Sequence, residues 1–131
     1  MAPVVKMRSV VLDCPDPRAL ADFYAGVLGG TVAAEDDTWV TLEAPGGHRI
    51  CFQQAPGYAP PDWPSADSNS QQFHLDFDAG STWEALEAAQ EKVLALGARP
   101  LDLDDDGGKR DWRVYADPAG HPFCLCRIEH S

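Results

Sequence analysis

Positive charge is scarce in this sequence. Its 131 residues hold 10 Lys and Arg against 21 Asp and Glu, a net charge of −11. Nucleic acids and anionic membranes recruit proteins through clustered cations, so the balance argues against either as a partner. It permits a cationic ligand, although a solvated acidic surface accounts for the charge equally well. Long apolar runs are missing too. No stretch approaches the roughly 20 residues of a membrane helix. Met1-Ala-Pro-Val-Val-Lys6 lacks the apolar run and small-residue cleavage site of a secretory signal. Cysteine is present, at Cys14, Cys51, Cys124 and Cys126, but without a CxxC pair, and Cys124-Leu-Cys126 is too tight for an ordinary zinc knuckle. The four read as reduced thiols of a cytoplasmic protein. The length suits one domain over residues 1–131, able to bury roughly two-thirds of its unfolded surface without a staple.

The local pattern alternates short strands with two helices. Val10–Cys14 reads as a strand before a Pro-Asp-Pro break, with Asp16 as N-cap and Pro17 as first helical residue. Leu20, Phe23, Tyr24, Val27 and Leu28 recur at helical spacing, and Gly29-Gly30 ends the helix. Strands are expected at Thr31–Ala34, Trp39–Glu43 and Arg49–Gln53. The Pro-rich segment 55–70 reads as a linker or lid loop. A strand over Gln71–Asp78 follows, then a helix opened by a Ser81/Glu84 capping box, with Leu86, Ala89, Val93 and Leu96 as its apolar face and Gly97 as its stop. Strands near Arg99–Leu101, Arg113–Tyr115 and Pro122–Arg127 complete the chain, around an acidic, solvated loop at Asp102–Asp111.

This order is a repeat. Leu28-Gly29 matches Leu96-Gly97, and Gly47-His-Arg-Ile-Cys51-Phe matches Gly120-His-Pro-Phe-Cys124-Leu. The expected fold is α+β: two βαβββ modules, over about 5–54 and 71–128, forming a cupped mixed sheet with the helices on the convex side. Strand alternation puts Phe73, Leu75 and Phe77 under a helix, with Gln72, His74, Asp76 and Asp78 on the opposite face. By the same logic Val10 and Leu12 face a helix, and Ser9, Val11 and Asp13 face the cup. His74 then becomes the repeat partner of Ser9, and Cys124 that of Cys51. Pseudo-symmetry would gather Ser9, Cys51, His74 and Cys124 at the cup floor. His48 and His121, each entering a strand from a glycine turn, mark the repeat and not a site.

The first helix, Asp16-Pro-Arg-Ala-Leu-Ala-Asp-Phe-Tyr-Ala-Gly-Val-Leu-Gly29, resembles the first-helix signature of the vicinal-oxygen-chelate superfamily of glyoxalases, bleomycin-resistance proteins and dioxygenases. Asp117-Pro-Ala-Gly-His-Pro-Phe123 is similar to its turn before the last strand, His74-Leu-Asp76 to the opening of its second half, and Pro61-Asp-Trp-Pro64 to its glyoxalase-like subgroup. Metal-dependent members place His, Gln or Glu ligands in the first and last strand of each half. Carried over, those positions are Ser9, Cys51, His74 and Cys124, of which only His74 matches. Hard divalent cations favour oxygen and imidazole donors, so no metal cofactor is expected.

The resemblance and the residues together imply a metal-free binder of a small molecule, like the superfamily's antibiotic-sequestering members. Trp39, Phe52, Tyr58, Trp63 and Trp112 are candidates for stacking a planar ligand, and Asp13, Asp76 and Asp78 for attracting a cationic one. The alternative is a metal-dependent lyase or isomerase in which Cys51, His74 and Cys124 form a Cys₂His zinc site with an open position. A third reading makes Cys51 or Cys124 a nucleophile activated by His74. The resemblance also implies a homodimer.

Overall fold

The computed structural model describes residues 3–61 and 73–128. It divides into two compact units, Met1–Tyr58 and Ala59–Ser131. Each carries one βαβββ module with its own four-stranded mixed sheet, so the α+β fold expected from the repeat is the fold observed. Among the described residues, no helix is long and apolar enough to cross a membrane.

The first unit runs β1 (Val10–Cys14), α1 (Pro17–Leu28), β2 (Thr31–Asp36), β3 (Trp39–Ala44) and β4 (His48–Gln54). Its sheet order is β1-β4-β3-β2, with β1 parallel to β4 and the other pairs antiparallel. α1 begins where the sequence demands: the Asp16 carboxylate accepts the Ala19 amide at 3.2 Å, and Pro17 supplies a preset φ where no amide is needed. After the helix the chain must pass hard against β3. A Cβ on Gly30 would sit 2.2 Å from the Glu43 carbonyl oxygen, and the φ of +106° also calls for glycine. α1 lays Leu20, Phe23 and Tyr24 against the sheet. Tyr24 packs on Phe23 (5.0 Å between centroids, edge-on) and on Phe52 of β4 (5.8 Å, stacked). Full burial of rings of this size contributes about 2–3 kcal/mol each.

The second unit repeats the pattern with β5 (Leu75–Asp78), α2 (Trp83–Leu96), β6 (Arg99–Asp102), β7 (Trp112–Ala116) and β8 (Pro122–Cys126), in the order β5-β8-β7-β6. Phe123 is its central ring, 5.6 Å from both Phe77 and Tyr115. Tyr115 reaches α2, its hydroxyl donating to Gln90 Oε1 at 2.6 Å. The Asp117-Pro-Ala-Gly turn into β8 has a mechanical reason. Asp117 is fully buried, and its carboxylate accepts the amides of Ala119 (2.9 Å) and His121 (3.0 Å). Those two bonds satisfy backbone groups that the turn would otherwise leave unpaired.

Several local expectations are corrected. β5 starts at Leu75, not Gln71. Residues 71 and 72 lie outside the described residues, and Phe73, expected under a helix, is 82% exposed ahead of the strand. α2 is capped by Thr82, whose hydroxyl accepts the Ala85 amide at 3.1 Å; Ser81 instead gives its carbonyl to Arg127. Thr82 has the extended backbone of a cap and lies three residues before Ala85, whose amide has no partner within the helix. Leu86 and Val93 are buried as expected, whereas Leu96, at the last turn, is exposed. The acidic loop is also less solvated than expected. It contains a 3-10 turn at Asp106–Gly108, and Asp102, Asp105 and Asp111 pair with Arg110, Arg113 and Arg127.

Candidate functional site

Register decides which side chains share the open face of each sheet. In the second unit Asp76 lies opposite Cys124 and Asp78 opposite Cys126 across the parallel β5–β8 pair, while Val114 and Trp112 face the same two cysteines from β7. Leu75, Phe77, Phe123 and Leu125 take the other parity, toward α2. His74, one residue before β5, turns its ring to Asp76, with 3.2 Å between Nε2 and Oδ1. His74, Asp76 and Cys124 thus come together, with one ligand-type atom from each lying within 4.8 Å of the others.

This trio lines a cavity of about 450 Å³ with Asp111, Trp112, Cys126, Arg127 and Ile128. Trp112 is 43% exposed. Its ring already carries a planar cation, since the Arg110 guanidinium lies over it at 5.0 Å from the centroid. The Arg127 guanidinium belongs to the wall, paired to Asp111 at 2.6 Å and laid over the Trp83 ring at 4.8 Å. The carboxylates Asp76 and Asp111 are more accessible, at 63% and 50% of their side-chain surface.

Two thiols on this face, Cys124 and Cys126, are shifted toward their protonated form. Burial, followed by the Asp76 carboxylate, pushes the Cys124 thiol up to about 12. Burial, then Asp76 and Asp78, pushes Cys126 to about 11. A negative neighbour in a partly dry site disfavours a second negative charge. The microenvironment is the reverse of the electropositive one that activates a cysteine.

The first unit presents the equivalent positions with different residues. Cys51 lies opposite Val11 of β1 and Thr41 of β3, just as Cys124 lies opposite Asp76 and Val114. That equivalence supports the pairing of Ser9 with His74, each two residues before those partners. Ser9 is half-buried immediately ahead of β1. Cys51 is buried, its sulfur 3.6 Å from Thr41 Oγ1. Trp39, half-buried, shares the parity of Thr41 and Cys51 and so stands on the open face.

Phe52 does not. It is one residue out of phase with Cys51, fully buried, and stacked on Tyr24 of α1, so it belongs to the core and not to a cup. Tyr58 is half-buried after a turn in which its amide donates to the Ala55 carbonyl. Trp63 lies outside the described residues. Sequence reasoning missed Cys126, Asp111, Arg127 and Ile128 as cavity residues. Cys126 was accessible to it, because alternation places residue i+2 beside Cys124; the others come from the end of the loop before β7 and from just past β8, which no local pattern positions.

A model of the glyoxalase-like domain family matches residues 9–126. No curated protein matches the sequence. Solved structures of the same fold include a mutant of the genomically encoded fosfomycin resistance protein FosX from Listeria monocytogenes in complex with Mn(II) (15% identity, 95% of this chain and 91% of that one, TM-score 0.68). Others are a possible glyoxalase from Bacillus cereus (12%, 94% and 99%, TM-score 0.68) and a glyoxalase/bleomycin resistance protein/dioxygenase family enzyme from Burkholderia phytofirmans PsJN (20%, 89% and 94%, TM-score 0.67). With its two βαβββ modules and a family match over 9–126, the chain belongs to the glyoxalase-like domain family of the vicinal-oxygen-chelate superfamily.

Proposed function

We propose that the protein binds a planar, cationic small molecule in the cavity of its second unit, and does so without the hard divalent cation that serves metal-dependent relatives. The observation that carries this reading is the floor of that cavity: an accessible Asp76 carboxylate between two thiols that keep their protons, beside a half-exposed tryptophan. An acid–aromatic pair of this kind favours a flat cation through charge and stacking together. The donor set argues against Mg²⁺ or Mn²⁺. Ser9, Cys51 and Cys124 offer a hydroxyl and two thiols where a hard cation wants carboxylate or imidazole donors.

The test is a fluorescence titration of chelator-treated protein with proflavine, a planar cation, and with a neutral tricyclic of the same shape. The reading expects saturable quenching by the cation, little by the neutral compound, and binding weakened roughly tenfold by Asp76→Asn, the cost of one charge-assisted contact. Non-saturating quenching that ignores Asp76→Asn would contradict it.

A second reading is favoured by the His74–Asp76–Cys124 trio itself. One nitrogen, one oxygen and one sulfur donor suit zinc far better than manganese, and three protein ligands leave a position open. Zinc there would supply Lewis-acid polarisation to a lyase or isomerase. This trio differs from the Cys51, His74 and Cys124 set expected from sequence in drawing all its ligands from one unit. Metal analysis of protein purified without added metal separates the readings: stoichiometric zinc that disappears in Cys124→Ala supports the second against the first. We also propose a homodimer, on family membership alone; light scattering of the purified chain tests it.

A further inference from the structure

The first unit carries a cavity of opposite character. It measures about 440 Å³ and is lined by Lys6, Met7, Arg8, Glu43, Gly47 and Arg49. Three of the chain's ten cationic residues meet here, in a protein of net charge −11. Most of the other arginines are already committed: Arg110, Arg113 and Arg127 each pair with a carboxylate. Arg49 holds Glu43 across the β3–β4 pair through its Nε. That leaves the two terminal nitrogens of its guanidinium fork without an ion-pair partner among the described residues, and Lys6 and Arg8 likewise pair with no carboxylate there. Gly47 completes the wall with a φ of +78° and no heavy atom within 4 Å of where a Cβ would stand, so backbone is open to a ligand at that point. Three cations against one carboxylate leave a local charge of +2.

We propose that this cavity is a subsite for a doubly charged tetrahedral oxyanion, either free phosphate or the phosphoryl group of a small organic molecule. Charge matching sets the class. A dianion neutralises the surplus, whereas a monocarboxylate leaves half of it. The fork of Arg49 and the ammonium of Lys6 offer donors in the number that such an anion can accept. A local surplus of positive charge is needed to offset the repulsion an anion meets from a chain of net charge −11. The proposal is independent of the cation reading for the second unit, and each can fail alone.

Backbone-amide NMR on the full chain tests it, at fixed ionic strength, with inorganic phosphate, glycerol 2-phosphate and chloride. The expected result is saturable movement of the Lys6–Ser9 and Gly46–Gly47 resonances with phosphate or glycerol 2-phosphate and not with chloride. Tighter binding of glycerol 2-phosphate identifies an organic phosphoryl group, and tighter binding of inorganic phosphate identifies the free ion. Arg8→Glu should weaken binding by about tenfold. Lys109→Glu, which makes the same charge change outside the cavity, should leave it within about twofold, as expected for a screened distant charge. Both residues are exposed and outside the helices and strands, so either variant keeps its fold, which the unchanged remainder of the spectrum verifies. Equal, non-saturating movement with all three anions, or equal effects of the two substitutions, overturns the proposal.

Discussion

The two halves of this chain share a scaffold and differ in what they mount on it. On the helix side both bury a stacked pair of rings, though from different elements: Tyr24 of α1 lies on Phe52 of β4 in the first unit, and Tyr115 of β7 lies on Phe123 of β8 in the second, with centroids 5.8 and 5.6 Å apart. On the open side the copies part. Where the first unit sets Val11 opposite a buried cysteine, the second sets Asp76, with His74 at hydrogen-bonding distance from it. The turn before the last strand differs as well. Pro45-Gly46-Gly47 is exposed, while its counterpart is nailed down by the buried Asp117. The helix-facing side of each sheet stays apolar because it must pack under a helix. The open side is under no such demand and diverges between the units.

The largest effects should come from the shared core. Phe52→Ala and Phe123→Ala are each expected to cost about 3–5 kcal/mol in chemical denaturation. A loss under about 1 kcal/mol for Phe52→Ala would return that ring to the open face. Next comes the turn. Asp117→Ala orphans two backbone amides and should cost about 2–4 kcal/mol, whereas Pro45→Ala in the exposed first-unit turn should stay within about 0.5 kcal/mol. Equal effects would show that the two turns carry the same load.

The third effect is a dependence on pH. Cys124 and Cys126 titrate from a reference of 9.0 and are raised to about 12 and about 11 in the folded chain. The unfolded chain therefore releases these protons first. Stability they contribute is present in full below pH 9 and declines as pH climbs toward the folded values. Tyr115, raised from 10.0 to about 12 chiefly by burial, adds to the decline above pH 10. Urea midpoints should fall between pH 8.5 and 10.5, and Cys124→Ala with Cys126→Ala should flatten that fall. A midpoint independent of pH would remove the case for protonated thiols. The smallest effect is the sharpest for the site. Asp76→Asn deletes a neighbouring negative charge, so alkaline thiol labelling in the second unit should become several-fold faster, with stability changed by less than about 0.5 kcal/mol.

Much of this organisation was legible in the sequence where a local rule had no competitor. Asp16-Pro17 fixed the start of α1 because capping and ring geometry agree, and Gly29-Gly30 fixed its end. The repeated Gly-His turns located the last strand of each unit, and alternation then set His74, Asp76 and Cys124 on one face. Phe52 was misplaced because its aromatic character outweighed its parity. Cys51 and Phe52 are adjacent in a strand, so they cannot share a face, and the core took the larger apolar side chain. Ser81 was preferred as a cap over Thr82 because Ser81 has a glutamate three residues on. The backbone chose the residue whose hydroxyl reaches the unpaired Ala85 amide. Asp111 and Arg127 escaped notice because their ion pair joins the ends of a loop and a strand, a contact that no spacing announces.

The central claim is that the second unit binds a flat cation without needing a hard metal. Thermal unfolding of chelator-treated protein tests it most directly, with proflavine, Mn²⁺ and Zn²⁺ added separately, because a ligand that binds only the native state raises the midpoint by mass action. The account predicts a dose-dependent rise with proflavine, shifted to about tenfold higher concentration by Asp76→Asn, and no rise with Mn²⁺. A rise with Mn²⁺ and none with proflavine would contradict it.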